Sequence, residues 1–341
     1  MAKPVVYFFD DASRLREGAS KFFEIVSKDF GKGKVGLKVH FGETGSKTFV
    51  KAEWLTGAKT FFPEAVFVEC NVLYRGHRTL RKNHIATAQK HGFGFLPIDI
   101  LDGDHGESQV EIPVNVGRTG NAKIGAGLLN YGKLIAVSHF KGHMATGFGG
   151  ALKNVGMCLG SRAGKMDMHS AISPYVKPDK CISCGTCVRE CPADAISMDK
   201  TAVIDVKKCI GCAHCIAACP QGAIDLNWNM SHEVNNALME KIAEYSSAVM
   251  KERRWWFMNF ITDLTYDCDC FGIEQKVFMP DIGVALSQDP VALDKASLDL
   301  VKEKNNGIDP FLKKHGVDGS HILRYAEKIG LGKTDYELAR I

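Results

Sequence analysis

The middle of the chain reads Cys181-Ile-Ser-Cys184-Gly-Thr-Cys187-Val-Arg-Glu-Cys191-Pro192 and then Cys209-Ile-Gly-Cys212-Ala-His-Cys215-Ile-Ala-Ala-Cys219-Pro220. Both runs have the spacing C-x₂-C-x₂-C-x₃-C-P, and together they hold eight of the twelve cysteines in 341 residues. A chain of this size does not need disulfides to fold, and cysteines at such short intervals are typical of metal binding. The repeat therefore predicts a small metal-binding unit within a larger chain.

The two runs resemble the two-cluster 4Fe–4S ferredoxins of bacteria. The resemblance implies that three thiolates of each run hold one cluster, while the cysteine before proline reaches the other cluster. One cluster would then bind Cys181, Cys184, Cys187 and Cys219, and the other would bind Cys209, Cys212, Cys215 and Cys191. Zinc held by four C-x-x-C pairs is the alternative, which the third cysteine and the Cys-Pro step of each run disfavour.

The sequence around the runs alternates strand-like and helical segments. Strands are predicted at 5–9, 34–41, 65–70, 134–139 and 256–261, and helices at 13–30, 47–60, 78–91, 234–250 and 290–304. This order is typical of an α/β domain with a mainly parallel sheet covered by helices on both faces. The last third has too few strands for a sheet of its own. We therefore predict an α/β host domain of residues 1–172 and 229–341, with an inserted small α+β ferredoxin-like module at 173–228.

The composition excludes several classes of protein. Lys and Arg exceed Asp and Glu by only four charges, which is too small an excess to indicate nucleic-acid binding. No apolar stretch reaches the roughly 20 residues of a transmembrane helix, and the one after Pro4 is too short for a signal peptide. We expect a cytoplasmic protein with neither a nucleic-acid nor a membrane partner.

Four stretches outside the runs resemble the domain-of-unknown-function-362 family, whose members are described as uncharacterised Fe–S centre proteins and often carry a ferredoxin insert. The stretches are residues 38–43 (KVHFGE), 139–164, 267–270 (DCDC) and 281–294. The resemblance spans nearly the whole chain. It implies an iron–sulfur protein, and it leaves the reaction open.

A more distant similarity concerns the spacing of His77, His143, Lys153 and His169, which is similar to that of the nickel-pincer lactate racemase family. It implies an acid/base pair at His77 and His143, a lysine that anchors the pincer cofactor and a nickel ligand at His169. The sequence Arg-Gly-His-Arg around His77 departs from that family's acidic pattern. The similarity therefore suggests a shared fold and pocket position rather than the pincer itself.

A candidate catalytic pocket follows the buried strand at 134–139. Ligands of open α/β sheets bind at the carboxyl ends of strands, where His143 and Lys153 would lie. Lys153 offers a positive charge to a small anionic substrate, and His143 exchanges protons near neutral pH. His40 ends another strand at the pocket rim, and glycines 147, 149 and 150 precede a helix start that favours an anion. We predict catalytic roles for His40, His77, His143, Lys153 and His169.

The pair Cys268 and Cys270 is a candidate metal or redox site. If residues 267–270 are extended, the two sulfurs point the same way and Asp269 points the other way. Two adjacent thiolates suit a soft metal ion, which a nearby histidine would help to bind. A redox-active dithiol, two buried thiols without a role and a disulfide between the two cysteines are the alternatives.

Three functions agree with these features. The first is a redox enzyme that passes electrons through two 4Fe–4S clusters to a substrate or cofactor site in the host domain. It needs a redox partner protein or a small-molecule electron donor. The second is an electron-transfer subunit of a partner oxidoreductase. The third is a metal-dependent isomerase or lyase with structural clusters. The density of His, Lys and Cys in the host domain favours the first.

Overall fold

The computed structural model describes residues 2–169, 174–226 and 231–341. Its strands are β1 (Val5–Phe9), β2 (Val35–Val39), β3 (Ala65–Glu69), β4 (Ile98–Ile100), β5 (Gln109–Pro113), β6 (Asn121–Gly125), β7 (Lys133–His139), β8 (Lys141–His143), β9 (Gly147–Gly149), β10 (Pro174–Val176), β11 (Ile196–Met198), β12 (Ala202–Ile204), β13 (Ile224–Leu226), β14 (Arg254–Ile261), β15 (Gly283–Ser287) and β16 (Glu337–Arg340). Its α-helices are α1 (Leu15–Phe30), α2 (Ala58–Phe61), α3 (Arg81–Lys90), α4 (Ala151–Leu159), α5 (Arg162–Met168), α6 (Thr186–Arg189), α7 (His214–Ala218), α8 (His232–Met250), α9 (Pro290–Lys304), α10 (Pro310–His315) and α11 (Ser320–Lys328).

The main sheet has eight strands in the order β16-β1-β15-β14-β7-β2-β3-β4. Neighbouring strands are parallel except at β15, which is antiparallel to both β1 and β14. The prediction of a mainly parallel α/β sheet is therefore confirmed. Strands from before residue 170 and from after residue 230 belong to this one sheet, in which β14 lies between β7 and β15 and β1 lies between β15 and β16.

Helices cover both faces of the sheet, which explains why its central strands are buried on both sides. In β7, Leu134 and Ala136 join the core that also contains residues of α4, α8 and α9. Ile135 and Val137 point to the other face and join the core that contains residues of α1. Both cores are continuous over several strands, so the carboxyl ends of these strands are held in fixed positions.

The prediction of one helix over residues 47–60 is wrong. The chain forms a short 3₁₀ turn at Ala52–Leu55 and the one-turn helix α2. Gly57 separates them, and a Cβ at this position would lie 2.4 Å from Ser20 Oγ on α1. The close contact with α1 leaves room only for glycine at this position, which lowers the helix propensity of a stretch where the apolar pattern alone indicates a continuous helix.

Residues 174–226 form a small unit with its own core. β10 pairs with β13 and β11 pairs with β12, both antiparallel, and the short helices α6 and α7 follow the cysteine loops. Ile196, Ile216, Ile224 and Leu226 form the apolar centre. The predicted domain edges at 172/173 and 228/229 lie outside the described residues, so the division into host and insert stays a prediction.

A fragment of residues 1–170 is expected not to unfold cooperatively. It would lack β14, β15 and β16, so the apolar faces of β1 and β7 would be exposed to water. Thermal unfolding followed by circular dichroism, with the whole chain as control, measures this. A cooperative transition of the fragment would contradict a host domain shared by both segments.

None of the helices in the described part of the chain is long and apolar enough to cross a membrane.

Candidate functional site

The predicted host-site residues follow the carboxyl ends of three neighbouring strands. His40 follows β2, His143 ends the short strand β8 after β7, and Cys268 and Cys270 lie in the loop after β14. The three strands β14, β7 and β2 are adjacent and parallel. Their carboxyl ends therefore meet at one edge of the sheet, where open α/β sheets bind ligands.

Lys153 and Cys268 are in direct contact, with 3.9 Å between Nζ and Sγ. Lys153 lies in the first turn of α4, and Gly149 leaves room for its stem, because a Cβ there would lie 3.3 Å from Lys153 Cδ. Burial lowers the pKa of Lys153, but the negative charge of Cys268 and of other thiols raises it by more. The pair is therefore best described as an ammonium beside a thiolate.

The two thiols of Cys268 and Cys270 share a hydrogen bond. This bond from Cys270 lowers the pKa of Cys268 most; burial opposes the effect, and Lys153 and Lys141 add to it. The net pKa of Cys268 lies well below the ordinary value of a thiol. The same bond and burial raise the pKa of Cys270. One thiolate and one thiol thus form the pair, which is the protonation pattern of a reactive dithiol.

His143 is neutral and has a defined tautomer. Its Nδ1 accepts a hydrogen bond of 3.2 Å from the Ala145 N–H, so its proton is on Nε2, and its ring also shares a hydrogen bond with Cys268. Burial and the Lys153 charge lower the pKa of His143 to about 4, against the opposing effect of the bond to Cys268. A neutral imidazole that donates a hydrogen bond to a thiolate stabilises the negative charge on the sulfur and fixes the position of the side chain.

Asp269 fixes the loop between the two cysteines. Its Oδ1 accepts a 2.8 Å hydrogen bond from His139 Nδ1, and its Oδ2 lies 3.3 Å from Lys141 Nζ. Residues 267–270 are not extended, because the Phe271 N–H donates to the Cys268 carbonyl and closes a turn. The expectation of an extended segment is therefore wrong, although the two thiols still meet.

The other predicted histidines lie at different distances from the thiol pair. Burial and the charges of His143 and Lys153 lower the pKa of His169 to about 3, so His169 belongs to the same cluster. Burial lowers the pKa of His40, with the Arg78 cation adding to the effect and the Cys268 charge opposing it. His77 is 67% exposed, with its Nδ1 4.0 Å from Glu43 Oε1. Its catalytic role stays a prediction.

The sequence did not predict a role at the site for Arg78, Tyr74 and Glu43, which lie near the Cys268–Cys270 pair. Arg78 is fully buried; its Nη2 donates 2.6 Å to the Tyr74 hydroxyl, and its Nε lies 3.4 Å from Glu43 Oε2. The positive charge of Arg78 acts to lower the pKa of both Cys270 and His40. These residues follow β2 and β3, so only the strand order indicates that they reach the site.

The helix start that was expected to favour an anion is occupied by a carboxylate of the chain itself. Asp294 accepts hydrogen bonds from the Ala151 and Leu152 N–H groups, at 2.7 and 3.0 Å, and from Asn259 Nδ2 at 2.8 Å. Burial raises the pKa of Asp294 to about 6, against these three bonds. The expectation of an external anion at this helix end is wrong.

The two cysteine runs have the same backbone conformation. Positive φ angles occur at Ser183, Gly185 and Asp194 in the first run and its extension, and at Gly211, Ala213 and Gly222 at the equivalent positions of the second. The Ala195 N–H donates to Cys191 Sγ at 3.3 Å, and the Ala223 N–H donates to Cys219 Sγ at 3.2 Å. The repeat seen in the sequence is thus also a repeat in three dimensions.

Cysteines from different runs lie beside each other. One cavity is lined by Cys181, Cys184 and Cys187 of the first run and by Cys219 of the second. Cys191 of the first run, in turn, lies close enough to Cys212 and Cys215 of the second run for its negative charge to raise their pKa values. Backbone N–H groups of Ala202 and Ser183 lower the pKa of Cys181, and the Thr186 hydroxyl lowers that of Cys184.

Within residues 2–169, 174–226 and 231–341, no group of three or more His, Cys, Asp or Glu side chains is spaced to hold a single metal ion. A metal ion at Cys268 and Cys270 stays a prediction.

A family model described as "Domain of unknown function (DUF362)" matches residues 35–299. The chain belongs to the DUF362 family. The match contains every element of the host-site cluster and both cysteine runs. The family resemblance inferred from residues 38–43, 139–164, 267–270 and 281–294 is confirmed, whereas the ferredoxin-like nature of the middle unit stays a prediction.

Two solved structures resemble this DUF362 protein at low identity. One is the lactate racemase apoprotein from Thermoanaerobacterium thermosaccharolyticum, with 10% identity and a TM-score of 0.37 over 76% of this chain and 51% of that chain. The other is a protein from Thermotoga maritima, with 12% identity and a TM-score of 0.38 over 86% of this chain and 58% of that chain. The chain thus spans a little over half the length of these proteins. No curated protein matches it.

The DUF362 protein is expected to lose stability in mild acid through His143. The unfolded chain binds a proton at this histidine near pH 6.5 and the folded chain near pH 4, so the unfolded state binds more protons between these values. Stability from this group is therefore complete above pH 6.5 and is lost as pH falls towards 4. At pH 5 the loss is about 1–2 kcal/mol. Urea unfolding at pH 7 and pH 5 measures it; His143→Gln should show a smaller difference, and an equal difference would contradict the assignment.

Proposed function

We propose that this chain is an iron–sulfur oxidoreductase, in which residues 174–226 hold two 4Fe–4S clusters and the Lys153–Cys268 site acts on a small anionic substrate. When bound, each cluster supplies one-electron transfer. The observation that carries the proposal is the cavity shared by three cysteines of the first run and Cys219 of the second. A two-cluster ferredoxin requires this exchange of the fourth ligand.

The side chains and backbone of the runs suit anionic thiolate ligands. The left-handed residues of each loop turn backbone N–H groups toward the sulfurs, as the lowered pKa of Cys181 reflects. The N–H groups of Ala195 and Ala223 donate to the two cysteines that precede proline. All eight cysteines of the runs are unbridged by disulfides. This donor set fits iron–sulfur clusters.

The host site suits reductive chemistry on an anion. Cys268 supplies a thiolate, Lys153 keeps a positive charge beside it, and the His143 imidazole shares a hydrogen bond with its sulfur. The substrate's negative charge would bind Lys153, as charge that develops during a reaction is stabilised by a fixed cation. Cys268 and Cys270 serve either as a redox-active dithiol or as two ligands of an additional metal ion.

Metal analysis of protein purified without oxygen tests the proposal. We expect about eight irons and eight acid-labile sulfides per chain, with EPR signals of two interacting clusters after reduction. Metal beyond the eight irons would support an ion at Cys268 and Cys270. Zinc in place of iron, or about four irons per chain, would refute the two-cluster assignment.

An electron-transfer subunit without chemistry of its own is the second candidate. Ile182, Val206 and Ile210 lie on or near the cysteine loops and are 58–61% exposed, as expected of a surface that a redox partner covers. A pure carrier would transfer electrons to an artificial acceptor equally well with and without Lys153, and no substrate would be consumed. Consumption of substrate that stops in Lys153→Met would exclude it.

A metal-dependent isomerase or lyase is the third candidate. It is favoured by the neutral imidazoles of His143 and His169, which lie beside Lys153 and could exchange protons with a substrate. Such an enzyme would turn over without any electron donor. Turnover that depends strictly on a reductant would therefore exclude the isomerase and support the oxidoreductase.

A further inference from the structure

Two arginines lie beside the cysteine runs in contrasting surroundings. Arg189 is exposed on α6 within the first run, between Cys187 and Cys191, and its Nη1 donates to the Cys184 carbonyl at 3.3 Å. Arg162 begins α5 in the host part of the chain and is only 1% exposed. Water screens a charge at the first position and hardly at all at the second.

Arg162 has fewer partners than a buried cation normally requires. Its Nη2 donates to the Thr79 carbonyl at 2.5 Å, whereas neither Nε nor Nη1 has a hydrogen-bond partner in the described part of the chain. None of the carboxylates placed by the structure forms an ion pair with it within 4 Å. A buried guanidinium without a close ion pair is costly, and the Asp102 and Glu107 carboxylates offset this cost only from a distance, so this position also suits a further negative charge nearby.

The face of α5 that carries Arg162 is turned toward the second cysteine run. A Cβ at Gly211 of that run would lie 3.6 Å from Met166 Cγ on α5. The rings of His105 and His214 stack with their centroids 6.0 Å apart, which joins the loop beside Arg162 to the same run. Burial lowers the pKa of Arg162, while the charges of Asp102, Glu107 and Cys212 oppose the lowering.

We propose that Arg162 is the buried counter-ion of the cluster held by Cys209, Cys212, Cys215 and Cys191, and that it gives this cluster a higher reduction potential than the other. The inference rests on the proposed function. A cluster bound by four thiolates carries net negative charge, and reduction makes that charge larger. A nearby cation that water does not screen therefore favours the reduced state.

The chain thereby makes two otherwise similar clusters unequal. The first run lies in an exposed part of the unit, where Arg189 is screened and Cys184 is itself exposed. The second run packs against α5 and Arg162. Each reduction takes one electron from an external one-electron donor and breaks no bond. The difference in potential favours the electron on the cluster that faces the host part of the chain.

A redox titration followed by EPR, with dithionite and mediators at pH 8, tests this inference. Arg162→Met should lower one of the two midpoint potentials, whereas Arg162→Lys should keep it near the wild-type value. Arg189→Met is the matched control on the first run and should shift neither. Cys184→Ser marks the signal of the first-run cluster, so the affected cluster can be assigned. At a fixed potential, the oxidised-to-reduced ratio of the second-run cluster should rise about tenfold in Arg162→Met, equivalent to about 59 mV.

Asp102→Asn supplies a second variant that keeps Arg162. Asp102 Oδ1 accepts hydrogen bonds from the backbone N–H and side-chain amide of Asn71, at 2.8 and 3.1 Å, and an asparagine oxygen can do the same. A Cβ at Gly106 would lie 3.2 Å from Asp102 Oδ2 and 3.0 Å from Arg162 Nε, so the carboxylate and the guanidinium both face this glycine. Removing this negative charge should raise the potential of the second-run cluster and leave the other unchanged.

The outcomes separate the inference from the function on which it rests. Loss of iron from the second run in Arg162→Met but not in Arg162→Lys also supports a required counter-ion. Two unchanged potentials in Arg162→Met with full iron content would overturn the inference, as would equal shifts of both clusters. If Arg162→Met does not fold, an unchanged potential in Asp102→Asn overturns it. Wild-type protein without iron–sulfur clusters refutes the proposed function instead.

Discussion

Replacing Cys219 with alanine is expected to damage the cluster of the first cysteine run, although Cys219 belongs to the second. Cys219 lines the same cavity as Cys181, Cys184 and Cys187, so its loss removes the fourth ligand of that cluster. Cys191→Ala should damage the cluster of Cys209, Cys212 and Cys215 instead. Each variant should lose up to half of its iron and one of the two EPR signals, because four thiolates hold each 4Fe–4S cluster.

Cys158→Ala is the control for this experiment. Cys158 lies on α4, outside both runs, and is partly exposed like most of the run cysteines. The control should keep all of its iron. Damage to the cluster of the variant's own run would contradict the exchange of ligands between runs. Two variants that both lose all iron would indicate that the unit folds only when both clusters are bound, and Cys→Ser at the same positions would then decide the assignment.

The sequence predicts the main sheet where strands are buried on both faces. β7 reads as a continuous apolar run because Leu134 and Ile135 enter opposite cores. β16 gives no such signal, since it lies at the sheet edge and its residues are exposed or half-buried. β15 was not predicted either: it is short and begins with Gly283, whose φ is 149°, where the chain turns into the sheet against β1. Its antiparallel pairing depends on contacts that no local pattern records.

For the candidate site too, the sequence predicts the residues that are placed by a single strand and misses the contacts between distant parts of the chain. Lys153, His143 and Cys268 could be anticipated because each comes after a strand, and parallel strands end at one edge of a sheet. Their partners could not. Asp294 caps α4 from a position 143 residues further along the chain, and Asp269 reaches His139 from 130 residues away. Only the strand order β14-β7-β2-β3 shows which loops meet.

Replacing Lys153 with methionine is expected to slow the alkylation of Cys268 strongly at neutral pH. The thiolate is the reactive form of cysteine, and its fraction at pH 7 depends on the pKa of the thiol. Lys153 Nζ lies 3.9 Å from Cys268 Sγ and lowers that pKa. Without the cation the pKa rises, and once it exceeds the pH of the assay, each further unit reduces the thiolate fraction, and hence the rate, by about tenfold.

The rate is measured with iodoacetamide between pH 5 and pH 9, by mass spectrometry of the peptide that contains Cys268. Lys153→Arg keeps the charge and serves as the control, so its pH profile should stay close to that of the wild type. Cys270→Ala should also shift the profile to higher pH, because it removes the hydrogen-bond donor that lowers the pKa of Cys268 most. Identical profiles for the wild type and Lys153→Met would refute a thiolate stabilised by Lys153. Alkylation that begins only after a chelator is added would identify a metal ion on Cys268 and Cys270, and the same lysine would then neutralise the charge of the bound thiolates.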